Sequence, residues 1–595
     1  MTTATRLAAL RQLMAERAYD AYIIPRADEH LGEYIPLHNE RLRWATGFSG
    51  SAGMAVILRE GAGVFVDGRY TVQVRQQVSA AEFSYHHLIE EPPLQWLRSS
   101  LQPGARVAVD SRLHNLQWLR QAADELAAAG MELCTDTDNL VDRSWQDRPV
   151  AEIAPALLLG ESFTGESSAS KRKRIGAAVK ALEADAALVF APDSVSWLLN
   201  LRGQDIPCLP VLQSLALLWA DGALDLVVEP ARMPAGWQQH CGEGVRMYAP
   251  DEAETLLGAQ AGKRVLADPV TANAWSQLLL EQGGATLVPG TDPVILPKAC
   301  KNAVEVAGAR AAHVRDGAAV VRFLAWLDGE QAAGRRYNEA ELADRLLDFR
   351  SGGEHFQGPS FETISAAGSN AAMCHYSHRN GTPAALSPDS VYLVDSGGQY
   401  KDGTTDITRT VAIGEPGAEV RRLFTLVLKG HIALDRARFP KGTTGTHLDV
   451  LARQHLWRQG YDYDHGTGHG VGAFLSVHEG PQRIAKAWAP VPLQPGMIVS
   501  NEPGYYRDGA FGIRCENLVV VTKVAGELET PMYGFEALTL APFDRRLLDL
   551  TLLDAGELRW LDDYHDQVAS TVGPLLPDSD RAWLQQACAP LAAGS

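Results

Sequence analysis

The chain has 595 residues, with 72 acidic against 54 basic side chains and a formal charge of −18. Apolar residues make up 46% and charged residues 21%, the usual balance of a globular protein, and at roughly 100–200 residues per domain the length predicts about three to five domains, or fewer large ones. The acid excess argues against nucleic acid or an anionic membrane as partner, because both recruit clustered Lys and Arg.

No apolar run approaches the roughly 20 residues that span a bilayer. The longest candidate, 209–228, is interrupted by Pro210, Asp221 and Asp225. At the start, Arg6, Arg11 and Arg17 recur through Leu7, Leu10 and Leu13, so no signal-peptide h-region forms. The seven cysteines are scattered and never spaced C-x-x-C, which predicts free thiols and a cytoplasmic setting.

The first 300 residues read as one unit repeated. A helical stretch (7–14) leads into the buried-strand pattern 21–25, a Trp44 segment, and two β-rich runs (54–58 and 64–66) joined through Glu60-Gly61. The same order recurs as helix 175–182, strand 186–190, Trp197, and runs 215–219 and 224–228 joined through Asp221-Gly222. Two related α/β domains are expected. A long helix from about 303 to 328 then opens a third region that becomes β- and glycine-rich. Near the end, Leu558, Leu561, His565 and Val568 form a helical stripe, read equally as core packing or as a subunit contact.

The candidate chemistry lies in the third region. Residues 391–411 have strand composition on both arms, with turn chemistry at Gly397, Gly398 and Asp402-Gly403. A hairpin folded about Tyr400/Lys401 sets Asp395 opposite Asp406, a repulsive pairing that a bound cation would reverse. Residues 498–520 repeat the arithmetic: a fold about Gly509 sets Glu502 across from Glu516. Four converging carboxylates would be prohibitive without metal charge.

Between these hairpins lies the glycine-alternating run 465–472, with His465 and His469, followed by His478. The alternating glycines allow close backbone approach while the imidazoles project. His375 is undecided on its local sequence, and His313, His431, His447 and His455 read as structural. Competing motifs fail: there is no H-E-x-x-H helix, Walker A loop, dinucleotide glycine fingerprint or C-x-x-C pair.

Asp395 and Asp406, His469, then Glu502 and Glu516 resemble the dinuclear site of the pita-bread metallopeptidases of family M24. Stretches 400–406, 465–472, 501–506 and 512–514, with 200–203 and the 560–565 tail, resemble the three-domain cytosolic Xaa-Pro aminopeptidases among them. The resemblance implies an α/β (α+β) fold: creatinase-like domains at 1–150 and 151–300, and a catalytic pita-bread domain at 301–595 with a helical extension from about 545 to 595. It implies two divalent ions held by Asp395, Asp406, His469, Glu502 and Glu516, with Asp406 and Glu516 bridging. The oxygen-rich donor set favours Mn2+, with Zn2+ and Co2+ as alternatives. Two such ions would sit about 3.5–4 Å apart and share a bridging hydroxide.

On this reading Glu502 is the general base and His478 stabilises the oxyanion, while His375 and His465 line the pocket for the second residue. Arg514 is a clamp on a bridging carboxylate or a structural ion pair. The substrates would be short peptides with proline in second position, and the assembly a homodimer. Cys515 stands where the family usually has an aliphatic residue, with little functional effect expected beyond sensitivity to oxidation. The rivals are a prolidase, restricted to dipeptides, and a binding protein that keeps the fold without catalysis.

Overall fold

The computed structural model describes residues 2–526 and 528–591, so the last four residues of the expected extension lie outside the described residues. The chain forms two compact units, Met1–Leu159 with Glu166–Ile295, and Gly160–Gly165 with Leu296–Ser595. Among the described residues, no helix is long and apolar enough to cross a membrane.

The first unit contains two six-stranded sheets of identical topology. Strands β1 (Ala21–Pro25), β2 (Met54–Leu58), β3 (Ala62–Val66), β4 (Ser84–His87), β5 (Arg106–Val109) and β6 (Glu132–Thr135) lie in the order β4-β3-β2-β1-β5-β6. Strands β7 (Ala186–Val189), β8 (Ser214–Trp219), β9 (Leu224–Val228), β10 (Val245–Tyr248), β11 (Arg264–Ala267) and β12 (Thr286–Pro289) lie in the order β10-β9-β8-β7-β11-β12. Every corresponding pair has the same sense, with β1/β2 and β7/β8 antiparallel and β1/β5 and β7/β11 parallel. The repeat expected from sequence is therefore a duplicated fold.

Local chemistry repeats as well. The β2–β3 and β8–β9 turns each place a glycine in left-handed backbone, Gly61 at φ +90° and Gly222 at φ +91°. Asp20 accepts the Arg106 amide at 2.9 Å, and Asp185 accepts the Arg264 amide at 2.8 Å. Asn115 and Asn273 cap equivalent helices, accepting Trp118 N at 2.8 Å and Ser276 N at 2.9 Å. These two caps also touch each other through an antiparallel bridge.

The second unit opens with helix Ala303–Ala332, whose start is fixed by a capping box. Asn302 accepts the Val304 and Glu305 amides, and Glu305 accepts the Asn302 amide at 3.0 Å. Val320, Phe323, Leu324 and Leu327 on this helix enter the main core with Leu423, Val427, Leu561 and Val568. The stripe on C-terminal helix Ala555–Val572 is thus core packing: Leu561, His565 and Val568 are fully buried.

Two acidic hairpins sit on this core. The first runs through β13 (Ser390–Ser396), β14 (Gly398–Tyr400), β15 (Gly403–Thr404) and β16 (Ile407–Ile413). Its register pairs Asp395 with Thr408 and Tyr400 with Gly403, so the turn falls at Lys401-Asp402. The expected pairing of Asp395 with Asp406 is corrected by two residues. Because side chains alternate with period two, Asp406 stays on the face of Thr408 and the carboxylates become diagonal neighbours.

Strands β17 (Gly468–Gly470) and β18 (Glu479–Ile484) pair beside the second hairpin, which runs through β19 (Ile498–Asn501), β20 (Gly504–Arg507), β21 (Phe511–Arg514) and β22 (Asn517–Lys523). Asn501 pairs with Asn517, and Gly504 pairs with Arg514. The same register on both sides places Glu502 across from Glu516, as a fold about Gly509 requires.

Candidate metal centre

Both hairpins deliver their acids to one place. Asp406, His469 and Glu516 each offer one donor atom, and the three atoms lie within 4.8 Å of one another. His469 Nε2 is 3.5 Å from Asp406 Oδ2 and 3.5 Å from Glu502 Oε1. Asp395, Asp406 and Glu516 are buried, and Glu502 retains 17% side-chain exposure.

The glycine alternation around His469 has a steric cause. A Cβ on Gly468 would meet Ser500 O at 2.0 Å, and one on Gly470 would meet Glu479 O at 2.3 Å. Only glycine lets β17 lie this close to its neighbours, which brings the imidazole level with the acids. His469 Nδ1 lies 2.9 Å from Gly470 O, a carbonyl that must accept, so the neutral ring carries its proton there. Its Nε2 lone pair then faces carboxylate oxygens.

These acids have too few protein cations. Burial and the charges of Glu516, Asp395 and Glu502 push Asp406 well above the usual carboxylate range, with Arg514 opposing. Burial, Asp395 and Glu502 do the same to Glu516. Glu502 is pushed up to about 7 by burial, with Asp395 adding and Arg514 and His478 opposing. Asp395 Oδ1 and Asp406 Oδ1 are buried without a hydrogen-bond partner. Orphaned acceptors, an imidazole lone pair and mutually repelling carboxylates fit a pair of hard divalent cations.

Arg514 is the cation that does reach the cluster. Its Nη2 donates to Asp395 Oδ2 at 2.5 Å, its Nε to Thr408 Oγ1 at 3.0 Å and its Nη1 to Tyr506 OH at 2.6 Å. Thr408 in turn donates to Glu516 Oε2 at 2.7 Å. Arg514 thus bonds Asp395 directly, and reaches Glu516, one of the two expected bridging carboxylates, only through Thr408. Tyr506 OH also contacts His465 Nε2 at 2.7 Å, which joins that histidine to the acids through Arg514.

The remaining histidines border this centre. His478 packs edge-on to His469, ring centroids 4.4 Å apart. His465 rides on a segment held by buried Arg453, which donates to His465 O at 2.8 Å and Tyr463 O at 2.6 Å. His375 is half-buried beside Cys374, whose carbonyl lies 3.4 Å from Arg514 Nη2. Its loop is latched by fully buried Glu339, which accepts from Ala367 N, Asn370, Tyr376 OH and Ala384 N at 2.7–2.8 Å. A cavity of about 410 Å³ adjoins the centre, lined by His469, His478, Pro481, Arg483, Ala489 and Pro490.

Tyr506, Thr408, Arg409 and Glu339 were not singled out from sequence. Tyr506 and Thr408 had a usable signal, since each lies near a ligand candidate within a strand. Cys515 is 1% exposed and its thiol is pushed up to about 12 by burial, which removes the expected oxidation sensitivity.

Comparison with known proteins places the chain in a family. The profile of "Metallopeptidase family M24" covers residues 307–523, and that of its C-terminal region covers 531–591. Two "Creatinase/Prolidase N-terminal domain" profiles cover 6–144 and 147–305. Aminopeptidase P1 of Arabidopsis thaliana is 38% identical, over 98% of this chain and 99% of the relative. The probable Xaa-Pro aminopeptidase P of Paracoccidioides brasiliensis (strain Pb03) is 40% identical, over 99% of each.

The chain belongs to the Xaa-Pro aminopeptidase branch of metallopeptidase family M24. The crystal structure of X-prolyl aminopeptidase from Caenorhabditis elegans, described as "a cytosolic enzyme with a di-nuclear active site", superposes with a TM-score of 0.95. It is 33% identical and covers 99% of this chain and 100% of that one. A Bacillus anthracis Xaa-Pro dipeptidase shares the fold over 64% of this M24 chain, at 22% identity and a TM-score of 0.51.

Proposed function

We propose that this protein is a dinuclear-metal exopeptidase that hydrolyses the N-terminal Xaa-Pro bond of short peptides. The observation that carries this reading is the convergence of Asp406, His469 and Glu516 within 4.8 Å, with Asp395 and Glu502 beside them. These five residues would hold two divalent ions. The oxygen-dominated donors favour Mn2+ over Zn2+ or Co2+. When bound, such ions would supply Lewis acidity, making a water at the site more acidic and the scissile carbonyl more electrophilic.

The chain's own residues do the rest. Glu502, the most exposed of the acids, accepts a proton from the attacking water and delivers one to the leaving nitrogen. His478 donates to the oxygen that becomes negative. His375 and His465 border the pocket for the second residue, where a proline offers a compact ring and a nitrogen without N–H. Arg514 fixes the orientation of Asp395 and, through Thr408, of Glu516.

The three-part division 1–150, 151–300 and 301–595 belongs to this reading, as do a homodimeric assembly and a cytoplasmic location. Kinetics on Xaa-Pro-Xaa tripeptides against Xaa-Pro dipeptides, before and after chelation and with Mn2+ rescue, test it. Turnover of tripeptides that vanishes with chelator and returns with Mn2+ is expected. Chelator-insensitive cleavage, or strict dipeptide preference, would overturn it.

A further inference from the structure

Next to Thr408, on the strand that follows Asp406, lies a second buried guanidinium. Arg409 is 2% exposed and forms no ion pair with a described residue. Taking a lone cation out of water is expensive unless every donor finds an oxygen. Here they do. Nη1 donates to Glu516 O at 2.6 Å and Thr408 O at 2.9 Å. Nη2 donates to Ala541 O at 2.6 Å, Asn517 Oδ1 at 2.8 Å and Tyr564 OH at 3.0 Å, and Nε donates to Pro542 O at 3.1 Å. The guanidinium carbon also sits 4.1 Å from the Phe543 ring centroid.

The six oxygens come from three separate segments: strand β16, the chain at Glu516, and the C-terminal region with helix Ala555–Val572. Tyr564 is itself anchored, donating to Thr539 O at 2.9 Å or Ala541 O at 3.0 Å. Its neighbour His565 accepts the Phe543 amide at 3.2 Å. A parallel contact serves Glu502. His431 donates to Asn501 O at 3.0 Å, Asn501 Nδ2 returns a bond to His431 O at 2.9 Å, and the His431 ring packs edge-on to Trp560 at 5.9 Å. The same C-terminal helix thus reaches the backbone at Glu516 through Arg409, and the residue before Glu502 through His431.

We propose that Arg409 is a positioning residue for the metal centre, holding the Glu516 backbone to the C-terminal helix and so setting the spacing of the paired glutamates. This rests on the proposed ligand set. A cation that grips carbonyls on both hairpins fixes ligand direction without touching metal or substrate, and its fork cannot be copied by a lysine ammonium.

Manganese titration by calorimetry and low-temperature electron paramagnetic resonance of the full chain test this, in wild type, Arg409→Lys, Tyr564→Phe and Val568→Ala. Val568 lies on the same helix, is buried in the core, and contacts neither Arg409 nor His431 in any bond described above. The expected result is that Arg409→Lys weakens uptake of one manganese by about 10-fold or more, and an isolated-ion signal replaces the exchange-coupled one. Tyr564→Phe shifts both readouts in the same direction by less, and decides the matter if Arg409→Lys fails to fold. Val568→Ala lowers the thermal midpoint and leaves both readouts at wild type. Wild-type affinity and coupling in Arg409→Lys and Tyr564→Phe, or equal losses in Val568→Ala, would overturn the positioning role. A wild-type chain that takes up no manganese would instead remove the ligand set itself.

Discussion

The Arg41 cluster of the first unit and the candidate metal centre treat their acids in opposite ways. In the first unit, fully buried Arg41 donates to Asp142 Oδ1 at 2.7 Å and Glu29 Oε1 at 2.7 Å. Burial works to raise Glu29, yet Arg41 holds it down at about 2. In the second unit, Asp395, Asp406, Glu502 and Glu516 share Arg514, and the three whose shifts are resolved are raised. Cations are not scarce nearby, for Glu479 alone receives Lys298 at 2.9 Å and Lys301 at 2.5 Å. Around Arg41 the acids are matched by guanidinium charge, whereas the four converging acids of the second unit share one arginine.

The sharpest break of this contrast is kinetic. Glu502→Gln should lower kcat by about 10²–10⁴-fold while metal analysis still finds bound ion, and full turnover would remove Glu502 from proton transfer. Next in size is the first unit's own pairing. Arg41→Met unpairs the partly exposed Glu29 and leaves Asp142 only Arg148 at 2.9 Å, and should cost about 1–3 kcal/mol in denaturant unfolding of that unit. An unchanged midpoint would show that the ion pair is dispensable.

The metal centre should respond with the opposite sign. In chelated protein, Asp406→Asn relieves repulsion and should raise stability by about 1–3 kcal/mol while metal uptake is lost, as thermal melts and metal analysis would report. The pH dependence follows the same logic. Glu502 is raised from 4.5 to about 7, so its neutral form is favoured by folding, and stability present below pH 4.5 is lost as pH rises through 7. Metal-free protein should lose about 3 kcal/mol between pH 4.5 and 8 in denaturant melts, and a flat profile would contradict the shift. The smallest effect belongs to Cys515. Iodoacetamide at neutral pH should leave Cys515 unalkylated in the folded protein, as peptide mass mapping would report, because the thiol is buried and protonated.

Much of this was legible in the residues. The duplicated domains showed as repeated order, and the Glu502–Glu516 register fell from the position of Gly509. The first hairpin was misread by two residues because Lys401 and Asp402, one position further on, make the turn. Alternation made that error harmless, since a two-residue slip keeps the same face. The C-terminal stripe was balanced between packing and contact, which hydrophobic periodicity cannot separate because both bury one face. The partners of Arg409 were invisible, Glu516 lying 107 residues away and Tyr564 155. In a strand of alternating character nothing local distinguishes a guanidinium that grips remote carbonyls from one in solvent.

The touching helix caps Asn115 and Asn273 carry a consequence for how the first unit can come apart. Equivalent positions meeting each other is the signature of an isologous pair, here fused into one polypeptide. Dilution cannot dissociate such a pair, because the tether fixes the local concentration of each half for the other. Freed from strict equivalence, the halves have diverged in duty: Asn273 also donates to Glu29 O at 2.9 Å and Arg112 O at 3.2 Å, threading the second copy into the charged network of the first.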